Sequence, residues 1–521
     1  MKRENKRLII VLAFLAVLMI SAFILQNVEE GISSPQEALW YLVVTLTTVG
    51  YGDLVPQSLP GRLIGAFFLI GSVGLLSWII GLAVSFINGN FLPGLRLRIL
   101  RRKRWYLFSD DGPRSSLLAD RLSEEDSDAV IILCGSDASI DQQFSQKGKH
   151  QILYVPMDYK ECLSERPGHR DGICLFLLGE DGWDNYLSAK SAAASGCKVY
   201  ARSGARPDER PEGVTLFSDS DAAGRMFWLD HPLEPQEKEL VIIGGKRYGE
   251  PLLEKGLLNN VFSPDQSISY HVFGDFAHFK GLHSRLKEII SVDGEGAAGD
   301  SLRFHKEPWE NCPDLLEGAD RIILCADSDD EDLELYWALR TYYPLRGKVF
   351  VRLSRMVEEP GMIVFGSDEE LYEPETVMSN TLVSLGIRVN ELYRSRYGGK
   401  KWEELSEFHR QSSIASADHL SVKASILLGR AIRGRLTQED SRRAFEVYKE
   451  TAAKDHDRYR AIEHMRWMRF HTIYNWRYSE VRDNALRRHN LILPYEELAL
   501  SEQEKDDDAW LLLGEYGSGN M

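Results

Sequence analysis

The sequence predicts an α-helical membrane domain of two spans plus a re-entrant helix, followed by tandem α/β units and a helical C-terminal domain. Three observations carry that prediction. Two long uncharged apolar runs lie ahead of residue 88 and flank a shorter helical stretch. Further on, short β-rich runs alternate with helical ones, and the whole alternation occurs twice. Beyond residue 396 that rhythm stops and the pattern becomes helical.

The 521 residues allow three or four domains at ~100–200 residues each. With 27% charged and 44% hydrophobic residues the composition is that of a compactly folded chain. Asp plus Glu number 78 against 62 Lys plus Arg, a net charge of −16. That balance excludes nucleic acid as the main partner, because phosphate binding needs a basic surface. The cysteines are Cys134, Cys162, Cys174, Cys197, Cys312 and Cys325, with no Cys-x-x-Cys pair. They read as buried thiols of a reducing compartment, neither a disulfide frame nor a zinc site, which puts that part of the chain in the cytoplasm.

The first apolar run, Leu8 to Leu25, carries no charge and is long enough to span ~30 Å of hydrocarbon. Lys2, Arg3, Lys6 and Arg7 ahead of it would also suit a signal peptide, but the length and the lack of a small-x-small cleavage site favour a retained span. The second run is Leu63 to Ile87, followed by "RLRILRRKR" from Arg96 to Arg104. Arg62 alone is basic between the runs, so the positive-inside bias predicts a hairpin in the cell membrane with both termini cytoplasmic. The basic run could also touch anionic lipid head groups, although a topology signal suffices to explain it.

Between the runs, Ser34 and Pro35 supply an N-cap and a first helical position, and Glu37 supports the first turn. Ala38 to Thr47 then allow about three turns, too few to span. A re-entrant helix at that depth must be surrounded by protein or line a water-filled cavity. "TVGYGD" follows it. A dehydrated cation needs oxygens at close range, and successive carbonyls can face one way only where the chain alternates conformations that glycine permits. Gly50 and Gly52 supply that freedom, Val49 and Tyr51 pack outward, and Thr48 adds a hydroxyl. One chain supplies one such loop, so four chains must meet around an axis.

In these residues the chain resembles two-span prokaryotic potassium channels, over roughly residues 1–95. The resemblance implies that the carbonyls of Thr48, Val49, Gly50, Tyr51 and Gly52, with the Thr48 hydroxyl, form a K⁺ selectivity filter braced by Trp40 and Asp53. Where some such channels carry a filter glutamate, this chain has Val44. The resemblance also offers Gly71 or Gly74 as a gating hinge in the second span, with close helix packing by small residues as the alternative. The absence of an Arg-rich span speaks against a voltage sensor.

The first α/β copy reads as "WYLFS", "AVIILCG", "QILYVP", "GICLFLLG", "KVYARS" and "VTLFSDSD". The second reads as "LVIIGG", "ISYHVFGD", "RIILCAD", "KVFVRLS" and "MIVFGSD". Strands alternating with helices predict parallel sheets covered on their faces. Both copies resemble the Rossmann-like RCK domains that regulate potassium conductance. In the second copy Gly244 and Gly249 hold the first and third glycine positions of a phosphate turn, while Lys246 occupies the second. A side chain there obstructs pyrophosphate, so ordinary NAD binding is disfavoured, and more so in the first copy, which keeps Gly112 alone. Lys246 and Arg247 could instead meet a nucleotide phosphate, and Asp275 could meet a ribose or simply end a strand. Asp327, Asp329 and Asp330 offer oxygens for a Ca²⁺ site or serve as acids at a helix N-terminus.

The C-terminal stretch contains "EHMRW", "WRY" and "PYEELALSEQEKD". It resembles the helical RyR module of ryanodine receptors, which also occurs singly in bacterial proteins. By that resemblance Glu463, His464, Arg466, Trp467, Trp476 and Tyr478 could bind a nucleotide-derived or other small ligand through ring stacking and a phosphate contact. The alternative makes the tryptophans core residues and pairs Glu463 with Arg466 on one helix face.

The expected architecture is therefore a membrane α-helical pore (1–95), a basic linker (96–105), two α/β Rossmann-like RCK domains (106–236 and 237–395) and a helical RyR-like domain (396–521). The expected function is a tetrameric, ligand-gated potassium channel, not an enzyme. K⁺ occupies its filter, and eight RCK-like units form a ring that answers a nucleotide or Ca²⁺. A non-conducting membrane sensor and a membrane-anchored NAD(P)-binding enzyme are the competing readings.

Overall fold

The computed structural model describes residues 3–86, 92–135, 152–166, 170–378 and 381–519. They divide into two compact units, 1–102 with 155–166 and 103–154 with 167–521.

The first unit is built on helices α1 (Arg3–Val28), α2 (Pro35–Leu46) and α3 (Leu59–Phe86). A reciprocal capping box starts α2. The Ser34 hydroxyl accepts from the Glu37 amide at 3.2 Å, and the Glu37 carboxylate accepts from the Ser34 amide at 3.1 Å. The 12 residues of α2 make a rod of ~18 Å. Leu18, Ala22 and Leu25 of α1 pack with Ile32, with Ala38 and Leu42 of α2, and with Phe68 of α3 to form a small core. At the end of α1 the buried Glu29 accepts from the Gln57 amide (2.6 Å) and the Ser58 hydroxyl (2.6 Å), which fixes the entry into α3. Val17, Ile20, Phe23, Leu63, Leu69 and Ile70 stay exposed on the outside of the hairpin, Ile70 by 75%. Among the described residues no helix is long and apolar enough to cross a membrane. The start of the run Leu8–Leu25 and the end of the run Leu63–Ile87 lie outside the described side chains. Helix α4 (Leu92–Ile99) follows, and its Arg98 pairs with Glu165 at 2.6 Å within the same unit.

The second unit carries two parallel sheets. Strands β1 (Trp105–Phe108), β2 (Val130–Cys134), β3 (Ile152–Val155), β4 (Ile173–Leu177), β5 (Lys198–Arg202) and β6 (Val214–Phe217) lie in the order 3-2-1-4-5-6. This is the doubly wound Rossmann order. The second sheet repeats it. Its β7 (Glu239–Gly244), β8 (Ser269–Gly274), β11 (Ser301–Phe304), β12 (Arg321–Cys325), β13 (Lys348–Arg352) and β14 (Met362–Phe365) run 11-8-7-12-13-14, with β9 (Ser291–Val292) and β10 (Glu295–Gly296) extending the β11 edge. The strand runs read from the sequence fall on β1–β8 and β12–β14. The edge strands β9–β11 escape such a reading because "SVDGEGAAGDSLRFHK" is glycine-rich and lacks an apolar stripe.

Where β7 and β8 end, Gly244 and Gly274 face each other. A Cβ on Gly274, whose φ is +108°, would lie 2.0 Å from the Gly244 carbonyl oxygen. Steric overlap and positive φ act together here, so Gly274→Ala is expected to destabilise the second sheet by ~2–5 kcal/mol. Thermal unfolding of the full chain reads this directly, and an unchanged midpoint refutes it.

The C-terminal helices pack into both α/β copies. Arg225, in the first copy's helix Asp219–Asp230, makes a buried pair with Asp418 of the helix Glu407–Leu428 at 2.7 Å. Arg469, in the helix Gln438–Ile473, pairs with the buried Asp300 of the second copy. His419 is hydrogen-bonded to the Val261 carbonyl at 2.9 Å. The helical region is thus built into the α/β pair.

Candidate functional site

Three places gather the residues singled out in the sequence. The first is the loop that leaves α2. Thr48, Gly50 and Gly52 all have positive φ, at +60°, +54° and +75°, with the residues between them outside that region. Alternating the hand of successive residues turns successive carbonyls toward one side, the geometry a dehydrated cation requires. The Val49 amide donates to the Val44 carbonyl at 3.0 Å and the Gly50 amide does so at 3.3 Å, which hooks the loop to the last turn of α2. The Trp40 indole donates to the Asp53 carboxylate at 2.9 Å. The Trp40 ring also stacks on Tyr51 with centroids 5.9 Å apart and planes within 4°. Trp40, Tyr51 and Asp53 therefore form one brace. Val49 and Tyr51 are 53% and 69% exposed in the single chain. The Thr48 hydroxyl donates to the Thr47 carbonyl at 2.7 Å. Gly71 and Gly74 lie inside α3, which runs through them without a break, and a Cβ on Gly74 would meet nothing within 4 Å.

The second place is the glycine turn after β7. Its apparent phosphate cradle is filled from within. The Asp327 carboxylate, at the end of β12, accepts from the Arg247 amide at 3.2 Å, and a Cβ on Gly245 would lie 2.6 Å from it. An acid at that point repels a phosphate where a helix N-terminus would otherwise attract one. Gly244 and Gly249 are needed for packing: a Cβ on either would lie 2.6 Å from Cys325 Sγ or from the Phe276 ring. Arg247 turns to Asp219 of the first copy at 3.1 Å, while Lys246 is exposed. Asp275 accepts from the Ala277 amide at 3.3 Å, as a strand-end turn residue does. In the first copy Asp110 likewise occupies the Gly112 amide at 2.9 Å.

Among the described residues, the acids offered for Ca²⁺ are not among the side chains whose ligand atoms gather closely enough to hold a metal ion. Asp327 serves the glycine turn, Asp329 accepts from the Ser354 amide and pairs with Arg352 at 3.2 Å, and Asp330 is exposed in the first turn of the helix Asp329–Tyr342. Their work is helix-end and strand-end capping.

The third place is a cavity of about 370 Å³ in the helical region, lined among others by His464, Trp467, Arg482, His489, Lys505 and Asp506. Of the six residues expected to act together, His464 and Trp467 face it, with rings 5.7 Å apart. Glu463 and Arg466 do not. They form a fully buried bidentate pair, Arg466 Nε and Nη2 donating to Glu463 Oε1 at 3.0 and 2.6 Å, with Lys423 Nζ 2.7 Å from Glu463 Oε2. Trp476 is buried against Phe408, and Tyr478 lies exposed on the short strand Arg477–Tyr478. Arg466 is thus withheld from any ligand; Arg482 and Lys505 bring positive charge to the cavity, Glu502 and Asp506 bring negative charge, and Lys505 is paired with Glu502 at 2.7 Å. Sequence spacing conceals this, because all four come from segments remote from the "EHMRW" helix. Burial pushes the His489 imidazole down to about 4 and the neighbouring His471 to about 3, so both rings are neutral at pH 7.

Residues 9–88 match the family described as ion channel. The chain is 26% identical over 163 residues to probable potassium channel protein 2 of Methanocaldococcus jannaschii, covering 30% of this chain and 47% of that one. Potassium channel protein 1 of the same organism is 28% identical over 151 residues, covering 28% and 44%. The chain thus spans less than half the length of these curated relatives. Among solved structures, the GsuK channel bound to ADP aligns with 73% of this chain and 100% of its own, at 15% identity and a TM-score of 0.32. Residues 9–88 are accordingly similar to ion-channel domains, and the same chain carries two Rossmann-like parallel α/β units.

Proposed function

We propose that the chain is one subunit of a homotetrameric, potassium-selective channel of the cell membrane, gated by a small ligand bound on its α/β and helical parts. The observation that carries this reading is the alternation of left-handed residues at Thr48, Gly50 and Gly52 directly after a short capped helix, inside a segment that matches an ion-channel family. Carbonyls of Thr48 to Gly52 coordinate K⁺, and Trp40 with Asp53 hold the loop's outer side. The exposed apolar belt of α1 and α3 is covered by lipid and by neighbouring subunits, with both termini cytoplasmic. Gly71 or Gly74 provides the bend on opening.

The α/β copies act as RCK-like gating units and the C-terminal helices as an RyR-like module. Because acids fill both glycine turns, the cavity beside Trp467 is the better candidate for a ligand. At about 370 Å³ it has the size of a small-molecule site. Its flat rings and its Arg482 suit a ligand with an aromatic ring and an anionic group, as in a nucleotide, whereas Lys505 is engaged by Glu502. Such a ligand opens the pore only insofar as it binds the open assembly more tightly than the closed one.

The test is ion flux from liposomes containing the purified chain, with K⁺ and Na⁺ gradients and with nucleotides or Ca²⁺ added in turn. Flux selective for K⁺ and changed by one of these ligands is expected. Flux that does not distinguish K⁺ from Na⁺ removes the filter assignment.

A further inference from the structure

On the second sheet, away from the glycine turn, three residues of the stretch between β11 and the next helix meet one residue of β8. His305 follows β11, Glu307 lies two residues on, Cys312 precedes the helix Pro313–Gly318, and His271 stands on β8. A ligand atom of His305, of Glu307 and of Cys312 all lie within 4.8 Å of one another, the only such group of three among the described residues. His305 Nδ1 is 3.0 Å from Glu307 Oε1, and Cys312 Sγ is 3.9 Å from the same oxygen. Around a tetrahedral zinc ion the corresponding N–O and S–O separations are ~3.4 and ~3.6 Å, as follows from bond lengths of ~2.1 Å to N or O and ~2.3 Å to S. Side-chain shifts of a few tenths of an ångström close that difference.

The support behind the group is also of the kind a metal site needs. His305 keeps Nδ1 toward the group while its Nε2 lies 2.9 Å from His271 Nδ1, and His271 Nε2 lies 3.3 Å from the Glu239 carboxylate. Glu239, His271 and His305 thus form a relay that fixes the His305 ring and tautomer. Phe273 stacks on the His305 ring at 4.3 Å, which holds its plane. His305 is nearly buried whereas Glu307 is half-exposed, so the group opens to solvent on one side and a water can complete the coordination.

We propose that His305, Glu307 and Cys312 bind a thiophilic divalent cation of the zinc type, with His271 as a positioning residue. Imidazole nitrogen with sulfur selects zinc-like ions over Ca²⁺ or Mg²⁺, which take oxygen ligands. Cys312 binds as the thiolate and its proton passes to solvent. The cation's charge offsets the burial and the Glu307 carboxylate that otherwise raise this thiol. Cys312 thereby departs from the reading of all six cysteines as buried thiols outside any zinc site. The other five are buried, whereas Cys312 is partly open. The site stands independently of ion conduction.

The test uses the full chain, reduced and stripped of metal, titrated with Co²⁺ as a spectroscopic substitute for Zn²⁺. The expected result is saturable uptake with an intense sulfur-to-cobalt charge-transfer band that Zn²⁺ displaces and Cys312→Ser removes. His271→Ala retains the band and weakens Zn²⁺ binding about 10- to 100-fold. Co²⁺ uptake without the band, or a band that survives in Cys312→Ser, overturns the site, and unchanged affinity in His271→Ala overturns the positioning role. Should Cys312→Ser fail to fold, alkylation of the wild-type chain decides. Zn²⁺ should then protect Cys312 from a thiol reagent, and an unaltered rate at Cys312 overturns the proposal.

Discussion

Gly50→Ala is expected to bring K⁺ flux down to background while the chain still folds and assembles. The residue has a φ of +54°, and a Cβ there would meet nothing within 4 Å in the single chain. The defect is therefore conformational and not a collision. An L-residue held left-handed costs ~1–2 kcal/mol, and the loop relieves it by rotating out of that region. Rotation swings the adjoining peptide and turns a carbonyl away from the ion path. Losing ~3 kcal/mol of ion stabilisation at one point of that path slows passage about 100-fold. Flux assays, with assembly followed by light scattering, separate the outcomes. Wild-type flux in Gly50→Ala would refute the filter assignment, and so would loss of flux matched by loss of assembly in every filter variant. Trp40→Phe provides the graded companion. It keeps a ring over Tyr51 but deletes the indole bond to Asp53, so flux should persist with weakened K⁺ preference.

The parts legible in the sequence are those that local chemistry determines. Ser34, Pro35 and Glu37 announce the start of α2 because a capping box is a four-residue device. Strands β1–β8 and β12–β14 are legible because strands buried in a parallel sheet are short apolar runs. What the sequence conceals depends on contacts between remote segments. Asp327 reads as a metal or capping acid until β12 is seen to lie beside β7, which brings its carboxylate to the Arg247 amide. Cys312 reads as one more thiol until the chain between β11 and the next helix carries it back to His305. Arg466 and Trp467 are neighbours in sequence, yet the helix turns one into the core and the other toward a cavity.

That last division leads to the second large effect. Glu463→Gln is expected to destabilise the helical region by ~3–5 kcal/mol, because it leaves Lys423 and Arg466 buried without their shared counter-charge. Burial pushes Lys423 down to about 8, against the support of Glu463, with Arg466 adding to the depression; His419 Nδ1 lies 3.1 Å from its amine. A lysine whose folded pKa lies below its unfolded value leaves the unfolded chain holding more protons between about 8 and 10.5, so wild-type stability from this group rises with pH across that window. Removing Glu463 lowers the folded value further and extends the window toward neutral pH. Denaturation at pH 6 and pH 9 should therefore show a larger loss at pH 6, and an equal loss at both would refute the account. Arg482→Ala is the counterpart on the cavity side. Its side chain is exposed, so stability should change by no more than ~0.5 kcal/mol. The response of flux to the activating ligand should nevertheless disappear. If instead Glu463→Gln kept its stability and lost the ligand response, the buried triad and not the cavity would be the ligand's site.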